Sequence, residues 1–145
     1  MIILDSNVLS ELLRPKPDPA VVHWVASKSP STLFTTTITR AEVRYGIALM
    51  PEGKRKDALF SSIEKIFDED FAGQVISFDN DAADCFAAIA SARRGAGRPI
   101  SQFDAMVAAI TRSRGASLAT RNGKDFVDCN VSLIDPWSGS KRPSR

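Results

Sequence analysis

Apolar positions fall into short runs and helical repeats that alternate along the whole chain. Ile2, Ile3 and Leu4 form a run that stops at Asp5, Ser6 and Asn7, after which Val8, Leu9, Leu12 and Leu13 recur at helical spacing. This predicts a strand, a polar tip and a helix. A proline-rich break at 14–19 follows, and Pro19 suits the first turn of a second helix carrying Val21, Val22, Trp24 and Val25. Residues 32–37 are β-branched and aromatic, which predicts a second strand. A helix over 39–50 then presents Ala41, Val43, Tyr45, Ile47, Ala48 and Leu49, and an amphipathic helix over 54–67 places Leu59, Ile63, Ile66 and Phe67 on one side. Val75 and Ile76 predict a third strand, Asp79 caps an alanine-rich helix over 82–93, and the glycine- and proline-containing stretch 95–99 breaks the pattern. Ser101 opens the next helix, with Met106, Val107 and Ile110 on its core face and Gly115 as its stop. Residues 117–120 and 131–134 predict the fourth and fifth strands.

Regular alternation of strand and helix predicts a doubly wound α/β fold: a central, mainly parallel five-stranded sheet flanked by helices. The expected domain spans 1–135. A basic tail, 136–145, carries Lys141, Arg142 and Arg145 and is expected to be mobile. At 145 residues, one core can be buried without staples. No apolar run approaches the roughly 20 residues that cross a bilayer, and the run after Met1 is interrupted at Asp5, so a cytoplasmic protein with no membrane partner is expected. Cys85 and Cys129 lack neighbours at ligand spacing and read as free thiols. A net charge of +2 permits a polyanionic partner without requiring one.

In an open parallel sheet the carboxyl ends of the strands border the crevice where ligands bind, and Asp5 stands at such an end. Glu42 and Asp104 fall in the first turns of predicted helices, and Asp125 follows the fourth strand. Each has a plainer explanation. Asp5 or Ser6 could be a helix N-cap, Thr39 with Glu42 matches a capping box, and Ser101 with Asp104 is a shorter version of it. Together they change meaning, because a parallel sheet brings these positions to one rim. Carboxylates 4 Å apart repel by about 4 kcal/mol at an effective dielectric near 20, so convergence requires protonation or a cation. Mg²⁺ and Mn²⁺ prefer such oxygen donors, and the only histidine, His23, has no ligand partner in sequence.

Four blocks now stand in order: Ile3-Leu4-Asp5-Ser6-Asn7-Val8; Thr37 to Gly46, with Arg40, Glu42 and Arg44; Ile100 to Ala105, with Asp104; and Leu118 to Phe126, with Arg121, Asn122 and Asp125, closed by Asp135-Pro136-Trp137. In these the chain resembles the PIN-domain ribonucleases, and within them the VapC-type toxins of bacterial toxin–antitoxin modules, FitB-like branch. The resemblance implies a PIN-like fold and a Mg²⁺- or Mn²⁺-dependent endoribonuclease with Asp5, Glu42 and Asp104 as its principal acids. The fourth position is either Asp125, which supplies charge, or Asn122, which would support it through an amide oxygen. Ser6 would bond an acid or a substrate phosphate, and Asn7 would shape the loop. The resemblance also implies a homodimer, a cognate antitoxin that neutralises the enzyme, and a higher assembly on operator DNA through that antitoxin.

Arg40, Arg44, Arg98 and Arg121, together with Arg93 and Arg94, are expected near the rim, where a basic border would receive RNA phosphates. Two competing readings remain. A phosphatase or dehalogenase with Asp5 as nucleophile calls for an acid two residues on, where Asn7 stands. A catalytically silent PIN-like module would bind RNA or protein without cutting.

Overall fold

The computed structural model describes residues 1–138 and the backbone of 140–143. Strands β1 (Ile2–Leu4), β2 (Leu33–Thr36), β3 (Val75–Ile76), β4 (Ser117–Ala119) and β5 (Ser132–Asp135) are all parallel and lie in the order β3-β2-β1-β4-β5. The helices are α1 (Ser6–Leu12), α2 (Pro19–Ala26), α3 (Thr37–Ala48), α4 (Lys54–Lys65), α5 (Asn80–Gly95) and α6 (Gln102–Ser113). The five parallel strands match the sequence expectation. A sixth, β6 (Ser140–Pro143), runs antiparallel beside β5, so backbone of the segment expected to be a loose tail is paired with the sheet edge. Arg145 lies outside the described residues.

Successive strand residues point to opposite faces, and the sequence is apolar on both. Ile3, Leu118 and Leu133 pack beneath α5 and α6 with Ile89, Val107, Ile110 and Phe126. Leu4, Ala119 and Ile134 pack on the other face with Val8, Leu9, Val21, Trp24, Val43, Ile63 and Phe67. The sheet thus divides two apolar layers, each large side chain stabilising the fold by about 1.5–3 kcal/mol when removed from water. Strand order runs outward from β1 to β3 and then returns to β4, which places the topological switch between β1 and β4.

Local chemistry sets the ends of the elements. Pro19 occupies the first turn of α2, capped by Asp18, and Asp79 caps α5 by accepting from Ala82 N at 3.0 Å. Gly115 follows α6 with φ +60°, a left-handed conformation that suits glycine. The helix expected over 54–67 ends as α4 and continues into one wider turn, Ile66–Asp70, closed by Phe71 N on Ile66 O at 2.9 Å. That turn buries both Phe67 and Phe71 while leaving Asp68, Glu69 and Asp70 in solvent. Cys129 is buried beside Arg93 and Val127, and Cys85 is half-buried. Among the described residues no helix is long and apolar enough to cross a membrane.

Candidate active site

Asp5 sits where β1 ends and α1 begins, at the switch point, and is only 4% exposed. Its Oδ1 accepts from Ser6 N at 2.9 Å, the N-cap bond expected of it, while Oδ2 accepts from the Thr120 hydroxyl at 2.9 Å and from Asn7 Nδ2 at 3.5 Å. Capping and chemistry are therefore compatible here, because the cap bond uses one oxygen. Burial pushes its pKa up to about 6; the Ser6 and Thr120 bonds oppose that rise, and the charges of Asp104 and Glu42 add to it.

Thr120, at the exit of β4, was not singled out by sequence. Its hydroxyl donates to Asp5 and accepts from Asn7 Nδ2 and from Asn122 N, each at 3.1 Å, so its one donor and both acceptor positions are used. Asn7 Oδ1 accepts from Arg121 N at 3.4 Å. Asn7 thus ties the first helix to the loop after β4.

Glu42 lies in the second turn of α3, not the first, because α3 opens at Thr37 with Thr36 as its cap. Thr36 Oγ1 accepts from Thr39 N at 3.0 Å, and Thr39 is itself buried. The Thr39–Glu42 capping box therefore does not form, and Glu42 is left half-buried with the Ser6 hydroxyl on its carboxylate. Its pKa is raised by burial first, against that bond, and further by Asp104. Asp104 does begin a capped helix: its N–H donates to Ser101 Oγ at 3.2 Å. Burial raises its pKa, the Ser101 bond lowers it, the Asp125 charge raises it and Arg93 lowers it. Asp104 is thus within electrostatic reach of Asp5, Glu42 and Asp125.

Asp125 and Asn122 belong to the short 3₁₀ turn Gly123–Phe126 and its first flanking residue. That turn is held from below by Arg93. Sequence placed Arg93 at the basic rim, but it is buried at 7% exposure, donating through Nη1 to Asp125 O at 3.0 Å and Val127 O at 2.8 Å, and through Nε to Arg98 O at 2.7 Å. Its place in the last turn of α5, just before the glycine break, was the only available signal. The four arginines expected to meet substrate divide. Arg40 pairs with Asp68 at 3.2 Å and lies over Phe67, Arg44 pairs with Glu64 and lies over Phe60, and Arg98 pairs with Asp128. Arg121 instead lies 4.9 Å over the Trp137 ring and is in no ion pair among the described residues.

The donor set is all oxygen, and every resolved shift among the acids is upward, from burial first and from the neighbouring carboxylate charges after it. Among the described residues, no three His, Cys, Asp or Glu side chains form a ready cage for an ion. The set suits a hard, hydrated ion such as Mg²⁺, which takes one or two carboxylates and keeps several waters. His23 is exposed on α2.

Residues 2–130 match the PIN domain family. The chain belongs to that family. Its PIN domain is 41% identical to the plasmid stability protein StbB of Pseudomonas syringae pv. tomato, over 94% of this chain and 99% of that protein. It is 36% identical to the VapC ribonuclease Y4jK of Sinorhizobium fredii and, equally, to the toxin FitB of Neisseria gonorrhoeae, again over 94% of this chain. Among solved structures, it superimposes on a FitAB complex bound to a DNA fragment with a TM-score of 0.87, at 36% identity, covering 94% of this chain and 96% of that one. With FitAcB from Neisseria gonorrhoeae the TM-score is 0.84, at 35% identity.

Proposed function

We propose that this PIN domain is a metal-dependent endoribonuclease, the toxin of a VapBC-type toxin–antitoxin module, which hydrolyses RNA phosphodiester bonds and is neutralised by a cognate antitoxin. One observation carries the reading: Asp5, Glu42 and Asp104, from three separate stretches of chain, lie within electrostatic reach of one another, and each is pushed toward protonation. Relatives named as a VapC ribonuclease and a toxin support the activity, and the FitAB complex on DNA supports an antitoxin partner and an assembly on operator DNA. Exposed Tyr45 on α3, Leu49 at its C-cap and Phe60 on α4 support a protein-binding face, either a homodimer contact or an antitoxin seat. The protein would act in the cytoplasm.

Asp5, Glu42, Asp104 and Asp125 would together hold the hydrated ion, in part through its waters, with Asn122 supporting it. When bound, Mg²⁺ or Mn²⁺ supplies a Lewis acid for the phosphate and a water of lowered pKa. The chain's own groups supply order. Ser6 N and the Thr120 hydroxyl fix both oxygens of Asp5, so its carboxylate cannot rotate away, and the Ser6 hydroxyl steadies Glu42. Arg121 meets phosphate directly, whereas Arg40, Arg44 and Arg98 would first release their acids.

The test is cleavage of a mixed RNA pool by purified, antitoxin-free protein in EDTA, Mg²⁺ or Mn²⁺, comparing the wild type with Asp104→Asn. Cutting that requires metal and falls by about 10²-fold or more in the variant is the expected result. A silent module would bind RNA, cut it under no condition and retain its binding in Asp104→Asn.

A further inference from the structure

Next to Asp5, an opening of about 350 Å³ lies at the carboxyl ends of β4 and β5. It is walled by Thr120, Arg121, Asn122 and Lys124 on one side and by Leu133 and Asp135 on the other. Its volume falls within the roughly 300–1,000 Å³ range of small-ligand sites. Thr120 belongs to both places: it lines this cleft, and its hydroxyl holds Asp5. Whatever enters the cleft is therefore separated from the acids by one side chain.

The wall chemistry is that of a nucleotide. Arg121 and Lys124 bring two cations, neither of them in an ion pair among the described residues, and Arg121 is held in place by stacking on Trp137. Leu133, otherwise packed in the core, gives the cleft an apolar floor. Asp135 supplies an acceptor of fixed direction, because its Oδ1 accepts from Trp137 N at 2.9 Å, and among the described residues its Oδ2 has no partner. A fixed carboxylate pairs with two adjacent N–H groups and repels a carbonyl edge. Guanine carries such a pair, N1–H and the N2 amino group, on the Watson–Crick edge that single-stranded RNA leaves open. Uracil offers carbonyl oxygens on either side of its one N–H.

We propose that this cleft is a base-reading subsite that takes a guanosine of single-stranded RNA beside the scissile phosphate, with Asp135 on the N1–H/N2–H edge and Arg121 and Lys124 on the flanking phosphates. The location of the scissile phosphate rests on the nuclease reading above. The binding does not.

Binding is measured with Asp104→Asn protein in EDTA, so that neither metal nor cleavage contributes. The probes are a short uridine run containing one guanosine and the same run of uridine alone. The guanosine-containing RNA is expected to bind about tenfold more tightly, the size of discrimination that a good two-point base contact provides. Adding Asp135→Asn, which keeps an acceptor for Trp137 N but replaces one oxygen with a donor, is expected to abolish the difference. Adding Lys124→Ala at its exposed position is expected to weaken both RNAs by a similar factor. Equal affinities, no binding of either RNA, or discrimination that survives Asp135→Asn would overturn the subsite. Sequencing of the 5′ ends released by wild-type protein separates the two ideas. Discrimination without cleavage in any metal sinks the nuclease and keeps the subsite, and cleavage with no guanosine discrimination in binding does the reverse.

Discussion

Thr120 shows how much of the site depends on one hydroxyl. Replacing it with valine keeps the shape but leaves Asn122 N and Asn7 Nδ2 without that acceptor and Asp5 without its donor. Thr120→Val is expected to lower stability by roughly 1–3 kcal/mol, read as a fall in Tm, whereas Thr120→Ser should stay close to wild type. Asp5 itself opposes folding at neutral pH when no cation is present. Its folded pKa, about 6, lies above its ordinary value of 3.8, so the folded state binds more protons than the unfolded state between those values. The contribution of this group is therefore full below about pH 4 and is lost as pH rises through about 6. The two-unit shift corresponds to roughly 3 kcal/mol. In EDTA the Tm of Asp5→Asn relative to wild type is expected to rise as pH goes from 4 to 7, whatever the amide costs in hydrogen bonds to Ser6 N and Thr120; a difference that stays constant across that range would refute this. Asp5 and Asp104 were legible in sequence because an acid that ends an apolar run or follows a capping serine stands out. Thr120 was not, since a threonine at a strand end is equally an ordinary β-former.

At the scale of elements, the most informative difference lies at α3. Both Thr36 and Thr39 can cap a helix, and sequence favoured Thr39 because Glu42 follows at capping-box spacing. The extended backbone of Thr36 (φ −132°, ψ 159°) and the burial of Thr39 decide for Thr36, which frees Glu42 from any capping duty. Thr36→Ala is expected to cost about 1 kcal/mol in stability, while Thr39→Ala would report on core packing instead. Arg93 links α5 to the turn that carries Asp125, a connection spanning more than thirty residues that no local pattern encodes. Arg93→Lys keeps the charge but cannot reach the carbonyls of Asp125, Val127 and Arg98 together. Amide exchange in the 122–126 turn is expected to speed up in that variant while β1 and β4 stay protected. Unchanged exchange there would show that the turn holds its own shape. The wider turn Ile66–Asp70 was also illegible, because an extra residue in a helical turn leaves the apolar spacing nearly intact.

For the whole molecule, parallel strands alternating with helices were readable from period alone, since short apolar and β-branched runs separated by helical repeats leave few other arrangements. The antiparallel β6 was not, because its sequence, Ser-Lys-Arg-Pro, has no apolar face to announce a strand. The order of assembly follows from the topology. β1 is the central strand and the first one made, yet one of its two neighbours, β4, and the hydroxyl that holds Asp5 stand 115 residues later in the chain. At about 5–20 residues per second of synthesis, Asp5 emerges roughly ten seconds before Thr120 exists. Throughout that interval the nascent chain has its first acid but neither the strand beside it nor the loop that closes the crevice. A truncated product ending before β4 would carry Asp5, Glu42 and Asp104 and still lack the wall that holds the first of them, so the last quarter of the chain decides when that carboxylate acquires its orientation.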